Sequence, residues 1–369
     1  MDSQSTPSPE PIDEVIAPSQ FEFLASKPSV AAYRQHEGRV IGGDARFKYF
    51  MAVTLDPRTN NRSGIVRCIM SRDGDVAVEG YVDRSELHRI DGESLEQFAV
   101  GDEIVIRNSS EIIFGLTKGD EAWDFLGFED PDIWIDPDTQ LLHLYFTIPF
   151  KHRNSEFAIC LGHAVGQDVD SLVMTQPALL PKQLGGRGNG AKEVSIAPKN
   201  SRGVHLNLIE SAAGGFEGDS ASVAQIAAAN DMGGVWEYGD VVFNPLAERI
   251  AWIAGHASPG PLLPRSFIDI GEGKAVGIMN GREANRREGE SVLYGTFSVG
   301  LFIYDYENGA IDWVSPEPLI RDSEARTITF ASQFVEAVPG QEGILYAHVD
   351  DSFVRAYTLY AEGIRSLLP

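Results

Sequence analysis

No stretch of this 369-residue chain sustains a long helical period. Its apolar residues fall instead into short β-type runs bounded by Gly, Asn, Asp and Pro. Examples are "RFKYFMAVTL", "GIVRCIMS", "DEIVIRNSS", "LLHLYFTIPF", "EFAICLGHAV", "GVHLNLIES", "RIAWIAGHAS", "SVLYGTFSV", "GLFIYDYENG" and "GILYAHVDDSFVRAYTL". Such runs are too short to be independent helices, and their turn residues mark hairpins. The pattern predicts an all-β protein. One segment reads otherwise: "GDSASVAQIAAANDMGG" suggests a helix with Asp219 or Ser220 as N-cap and Gly233 beyond its end.

The runs group into five loosely repeated units, starting near Gly42, Glu129, Lys192, Ser258 (or slightly before it) and Thr329. In each, a polar, acid-containing segment leads into an aromatic-rich strand, a hairpin and a second strand. About 65 residues per unit suffice for four short strands. Five such sheets packed face to face make a ring, which leaves no long open edge, whereas a sandwich would. The expectation is therefore a five-bladed β-propeller spanning 36–369. Residues 1–35 begin with the acidic, Pro/Ser-rich "MDSQSTPSPEPIDEVIAPSQ" and read as a disordered or extended segment.

Composition limits the partners. Asp and Glu number 54 against 30 Lys and Arg, a formal charge of −24. That field repels nucleic acid and anionic membranes. No apolar run approaches membrane-spanning length, and the N-terminus lacks the basic start and apolar core of a signal peptide. A cytoplasmic location is the default expectation. The two cysteines, Cys68 and Cys160, lie in apolar runs and read as buried thiols. The eight histidines include no HExxH and no paired ligand spacing, so no metal or cofactor is expected. Oligomeric state is not set by the sequence.

In a ring, residues heading the innermost strands converge on one funnel. Three acids head three consecutive units: Asp44 in "GGDARFKYFMAVTLDP", Asp130 in "FEDPDIWIDPDT" and Glu193 in "AKEVSIAP". Acids before strands are also common turn residues. Glycoside cleavage, however, needs such a set: one carboxyl protonates the leaving oxygen, and another attacks the sugar or activates water. A third can raise the acid's pKa. Pro131 biases Asp130 towards an extended backbone.

These segments resemble the five-bladed β-propeller glycosidase superfamily of arabinanases and β-xylosidases, invertases and levansucrases, and mannoside phosphorylases. The resemblance rests chiefly on Glu129-Asp130-Pro131, matching an (Glu or Arg)-Asp-Pro motif that opens the second blade, with Tyr145 on the partner strand. The turn Ser71–Gly74, "KEVSIAP" and "HVDDSFVRAYTL" add patchier similarity over most of 40–360. By this resemblance Asp44 is nucleophile or base, Asp130 transition-state stabiliser or pKa modulator, and Glu193 the acid. If the phosphorylases are the better guide, Asp130 becomes the principal acid and a basic cluster holds phosphate. Asp44 lacks the Asn-Asp-Pro-Asn surround of invertases, which argues against a retaining, fructose-directed mechanism. The expected activity is inverting hydrolysis of a glycoside or oligosaccharide, with phosphorolysis, glycosyl transfer and non-catalytic carbohydrate binding as alternatives.

Further residues are candidates for substrate contact. Glu129 adjoins Asp130. Trp123 and Trp236 sit in loose segments suited to sugar stacking, whereas Trp134 lies within a strand and reads as core. His256 and His348 fall near unit rims, where structural histidines are equally expected. In the glycine-rich "GGRGNGAKE", read as a mobile loop, Arg187 and Lys192 are candidate phosphate ligands. "GREANRRE" reads as a surface ion-pair loop holding Arg282, Arg286 and Arg287.

Overall fold

The computed structural model describes residues 31–216, 219–289 and 291–369, and the chain is all-β with a few short helices. The first sheet runs Tyr49–Leu55, Ser63–Asp73, Val82–Ser94 and Gln97–Glu103, each strand antiparallel to the next. The second comprises Glu129–Ile135, Leu142–His152, Phe157–Gly166 and the short Val173–Met174, with Trp123–Phe125 beside the far end of Leu142–His152. The third contains Lys192–Ser195, His205–Phe216, Asp219–Ala229 and Glu237–Phe243. The fourth contains His256–Leu262, Lys274–Arg282, Phe297–Asp305 and Ala310–Val314. The fifth contains Thr329–Val338, Glu342–Val349 and Phe353–Tyr360. Its fourth strand, Tyr33–Arg39, comes from the other end of the chain and pairs Tyr33 with Leu359.

The expected unit starts at Glu129, Lys192 and Thr329 coincide with first strands of sheets, and Ser258 falls within the fourth sheet's first strand. Gly42 precedes the first sheet by several residues. Residues 1–30 of the expected N-terminal tail lie outside the described residues, while 33–35 belong to the strand Tyr33–Arg39.

Each sheet buries its faces against its neighbours. Ile65 and Leu87 of the first meet Leu144 and Phe146 of the second. Tyr145 and Leu161 of the second meet Ile209 and Trp236 of the third region. Leu208 meets Met279 and Phe302, Ile278 meets Leu345 and Tyr357, and Val335 and Tyr346 return to Val53 and Cys68 of the first sheet. The first strands likewise touch in order, the fifth contacting the first. Polar stitches cross these interfaces: Ile133 N donates to Thr54 Oγ1 (3.0 Å), Thr54 Oγ1 to Gln333 Oε1 (3.0 Å), and Ala331 N to Asn280 Oδ1 (2.7 Å). A central wall two faces deep explains why strands such as Leu142–His152 are buried along most of their length. Both thiols are free and buried, and burial pushes Cys160 up to about 12.

The expected helix is a strand, Asp219–Ala229, hydrogen-bonded to His205–Phe216 and Glu237–Phe243. Its alanines favour helix in isolation, but Ala224, Ala227 and Ala229 are fully buried between neighbouring sheets, where only small side chains fit. Tertiary packing overrides propensity here.

Arg355 fixes the pairing of the chain's two ends. Its Nη1 donates to His36 O (2.9 Å) on the N-terminal strand, while its Nε lies 2.8 Å from Asp322 Oδ2. Both charged side chains are almost wholly buried. Removing one partner of such a pair strands the other charge. Arg355→Ala should lower stability by about 3–5 kcal/mol, read from the urea midpoint; an unchanged midpoint would show that the strand pairs hold without it.

His163 couples the second sheet to pH. Its Nε2 lies 2.9 Å from His143 Nδ1 and its Nδ1 lies 2.7 Å from Thr175 Oγ1. Burial, with His143 adding repulsion, pushes it down to about 3 from an ordinary value of 6.5. The unfolded chain therefore takes up this proton first, so the contribution is intact above pH 6.5 and lost as pH falls towards 3. Between about pH 7 and pH 4 the loss is roughly 3 kcal/mol. A His163→Gln variant should show a shallower fall in urea midpoint over that range.

Candidate active site

Every first strand carries a bulge at the same level. In the second sheet Glu129 pairs with Thr147 but Asp132 with Tyr145, so Asp130 and Pro131 face a single residue. In the third, Lys192 pairs with Glu210 and Val194 with Ile209, which leaves Glu193 unpaired. The corresponding residues are Ala52 in the first sheet, Gly260 and Pro261 in the fourth, and Ser332 in the fifth. Ala52, Asp130 and Glu193 have φ of 30°, 47° and 49°, the left-handed region that L-residues occupy at a cost. Pro131 has no N–H to lose from the ladder, so the kink at Asp130 costs little pairing. Of these bulge residues, Asp130 and Glu193 reach a cavity of about 540 Å³, while Ala52, Gly260, Pro261 and Ser332 line a smaller cavity behind it.

Of the candidates named from the sequence, Asp130, Glu193, Glu129, Lys192, His256 and His348 line the larger cavity. Asp44 does not. It lies in an exposed loop, where its carboxylate takes Arg46 Nη2 at 2.8 Å and the Arg46 backbone N–H at 2.9 Å. The matching position of the first sheet holds the methyl group of Ala52. Trp123 packs on His152 outside the cavity, and Trp236 is core, stacked on Tyr145. Arg187 is exposed and away from the lining, although its neighbours Asn189 and Gly190 reach it. Arg282 is a lining residue and not part of a surface loop; Arg286 is exposed in the short hairpin strand Arg286–Glu288.

One guanidinium organises the acids of the second sheet. Arg67, on Ser63–Asp73, donates from Nη2 to Glu129 Oε1 (2.6 Å), from Nη1 to Asp130 Oδ1 (2.7 Å) and from Nε to Ser85 Oγ (2.9 Å). A single cation cannot neutralise two carboxylates. Burial therefore raises Glu129 to about 7, against the pull of Arg67 and with the help of Asp130. Burial also lifts Glu193 well above the usual range; the Asp130 carboxylate adds to the shift and Lys192 opposes it.

Across the cavity the balance reverses. Burial opposes ionisation of Glu210, yet His256 and Lys192 hold it well below the usual carboxylate range. Lys192 Nζ lies 3.3 Å from Glu210 Oε1. His256 Nε2 lies 3.0 Å from the same oxygen, but off the line a hydrogen bond needs. Arg282 has no carboxylate partner among the described residues; it stacks 4.3 Å from the Tyr294 ring centroid. Asp351 accepts from Tyr81 (2.9 Å) and lies 3.3 Å from His348 Nδ1. The site thus sets an acid whose hold on its proton is strengthened by burial, Glu193, beside an Arg67-bound carboxyl, Asp130. Among the described residues no group of three or more His, Cys, Asp or Glu is placed to hold a metal.

Arg67, Glu210 and Arg282 escaped the sequence reading. The signal was present for two of them: each is the lone long charged side chain in an apolar run, "GIVRCIM" and "HLNLIES". A charge that must be buried needs a partner, and here the partners are one another's neighbours around the cavity.

No family model and no curated protein matches the chain. Solved structures do. A Bacteroides thetaiotaomicron protein provisionally described as a glycosidase superposes with a TM-score of 0.63 at 16% identity, over 89% of this chain and 97% of that one. A protein of the GH130 family of mannoside phosphorylases, which contains glycoside hydrolases targeting β-1,2-mannosidic linkages in Candida mannan, gives 0.62 at 16% identity over 89% and 93%. The β-1,2-mannobiose phosphorylase of Listeria innocua gives 0.58 at 14% identity over 92% and 94%. At these identities the likeness is one of fold.

Arg67→Met should cost about 3–5 kcal/mol near neutral pH, because two buried carboxyls lose their only cation. The sign of its pH dependence follows from Glu129. Its folded pKa is raised, so its contribution is full below about 4.5 and lost as pH rises towards 7. Removing Arg67 raises Glu129 further, so urea unfolding should show the Glu129 part of the variant's deficit level up to about pH 7 and widening above it; widening that already sets in near 4.5 would mean that Glu129 ionises in its ordinary range.

Proposed function

We propose that the chain is a glycoside hydrolase built on a single five-bladed β-propeller domain, with its site in the axial funnel. The observation that carries this reading is the cavity wall. Seven buried polar atoms there have no hydrogen-bond partner among the described residues: Thr147 Oγ1, Glu210 Oε2, Ser211 Oγ, His256 Nε2, Arg282 Nε and both ring nitrogens of His348. Buried polar atoms without partners are rare and costly, about 1–3 kcal/mol each. A ligand dense in hydroxyl groups supplies both donors and acceptors to them. Tyr81, Tyr294, Phe297 and Phe330 add faces for sugar C–H groups.

Asp130 and Glu193 are the proposed reacting carboxyls. Glu193, held protonated, donates its proton to the leaving oxygen as the glycosidic C–O bond breaks. Asp130 accepts a proton from the water whose oxygen bonds to the anomeric carbon, which inverts the configuration. Arg67 takes only Oδ1 of Asp130 and so leaves Oδ2 for this task. Glu129, through Arg67, orients its neighbour. Lys192, His256 and His348 contact substrate hydroxyls. The fold likeness to glycoside-active proteins supports the same class.

Phosphorolysis is the second reading, favoured by one feature: Arg282 Nε and His256 Nε2 are unpartnered on neighbouring strands, with Lys192 nearby. Against it stands the lining charge. Glu79, Asp83, Glu129, Asp130, Glu193, Glu210 and Asp351 face only Arg67, Lys192 and Arg282, and the first two of these cations already bind carboxylates. A phosphate dianion meets net repulsion there.

A panel of aryl glycosides and natural disaccharides including β-1,2-mannobiose, with and without millimolar phosphate, tests both readings. Asp130→Asn and Glu193→Gln should each lower kcat by about 10²–10⁴-fold with folding intact. Wild-type activity should fall as pH rises through the raised pKa of Glu193. Turnover that requires phosphate would replace hydrolysis with phosphorolysis, and no turnover of any glycoside would leave a binding protein.

A further inference from the structure

A second cavity of about 160 Å³ lies against the floor of the first. Every sheet contributes to it, through Ala52, Asp130 to Trp134, Glu193, Val194 and Ile196, Pro259 to Leu262, and Ala331 to Phe334. Asp130 and Glu193 line both cavities, so the bulge layer is a floor one residue thick between them. Among the described residues, the only other ionisable group in the second cavity is Asp132. It forms no ion pair, and its register partner on the neighbouring strand is Tyr145, whose hydroxyl points away to Met232 O (2.8 Å). The space holds roughly five waters, and Asp132, Ser332 and Gln333 give them polar partners.

Resting on the hydrolase reading above, we infer that this second cavity is the water and proton port of the site, with Asp132 its exchanging group. The chemistry requires such a route. Each inverting hydrolysis consumes one water and leaves Glu193 without its proton and Asp130 with one. Resetting the pair means removing a proton from Asp130 and returning one to Glu193. While a sugar fills the funnel, the front is closed. Both carboxyls also face the back cavity, where water reaches them independently of substrate. Asp132 passes the proton between that water and the far side. Burial raises its carboxyl to about 7, so at neutral pH it gives and takes a proton with equal ease. Asp130 and Glu193 are the other ionisable groups of this cavity, but burial alone raises Asp132; the first, fourth and fifth sheets present no charged group to it.

The test uses the full chain labelled with ¹³C at the Asp and Glu carboxyls, as wild type, Asp132→Asn and Asp132→Glu. The expected result has two parts. One Asp carboxyl titrates near 7 and vanishes in Asp132→Asn. On a substrate found by the panel, Asp132→Asn should lower kcat about three- to tenfold with KM within about twofold, flattening the limb near neutral pH, and Asp132→Glu should restore it. An Asp132 carboxyl that titrates in the ordinary carboxylate range, or an unaltered pH profile, overturns the port. Absence of any turnover sinks the hydrolase reading alone, because the Asp132 titration still decides whether the back cavity holds a group that exchanges its proton near neutral pH.

Discussion

The pairing of Tyr33–Arg39 with Phe353–Tyr360 is the constraint on which the rest depends. It joins residues more than 300 positions apart, so it carries a large loop-closure cost that local contacts cannot offset. Arg355 and Asp322 secure it from within, and Tyr33 packs edge-on against Tyr357. With this strand in place the fifth sheet has four strands like the first, and its faces are free to pack against the fourth and the first. Five apolar interfaces then follow in sequence, and the five first strands meet around one cavity. Without it the last sheet keeps an open edge at Phe353–Tyr360, which is the arrangement that invites pairing with other chains.

Once the first strands are held together, their bulges decide what the cavity contains. An unbroken strand alternates side chains between its two faces and would send residue 130 into an interface. The extra residue breaks that alternation and aims one side chain per sheet inward. The chain fills those five positions with Ala52, Asp130, Glu193, Gly260 and Ser332. Asp130 and Glu193 reach the larger cavity, while Ala52, Gly260 and Ser332 line only the smaller one behind it, and left-handed backbone falls on Ala52 as well as on the two acids.

What could be read from the sequence follows from which features are local. Most of the alternating runs are strands, and turn residues marked the unit starts at Glu129, Lys192 and Thr329, because period-two patterning and turns involve only neighbouring residues; "RIAWIAGHAS" instead holds the short helix Ala251–Ile253 ahead of its strand, and "DEIVIRNSS" leaves its strand at Glu103. Asp130 was legible because Pro131 marks it, and Glu193 because it heads a strand. Asp44 was misplaced because position relative to a bulge was not visible: a residue eight positions upstream looked equivalent to one inside the strand. The Ala-rich strand Asp219–Ala229 looked helical because its small side chains are chosen by distant sheets. Arg67 and Glu210 lie on second strands, and nothing local says that a second strand's side chain will reach the site.

The acid-rich composition acquires a narrower meaning at the cavity. A net charge of −24 spread over a surface speaks of solubility. The lining acids differ, because they fall into two environments that meet at Lys192. On one side Arg67 is shared between Glu129 and Asp130, so negative charge exceeds positive and protons are retained. On the other, Lys192 and His256 hold Glu210 below the usual carboxylate range, while burial keeps His256 itself below its ordinary value. Lys192 links the two, since the same ammonium holds Glu210 down and opposes the rise of Glu193. The protonation of each acid is therefore set by how one cation is divided among its neighbours, not by the acid's own burial alone.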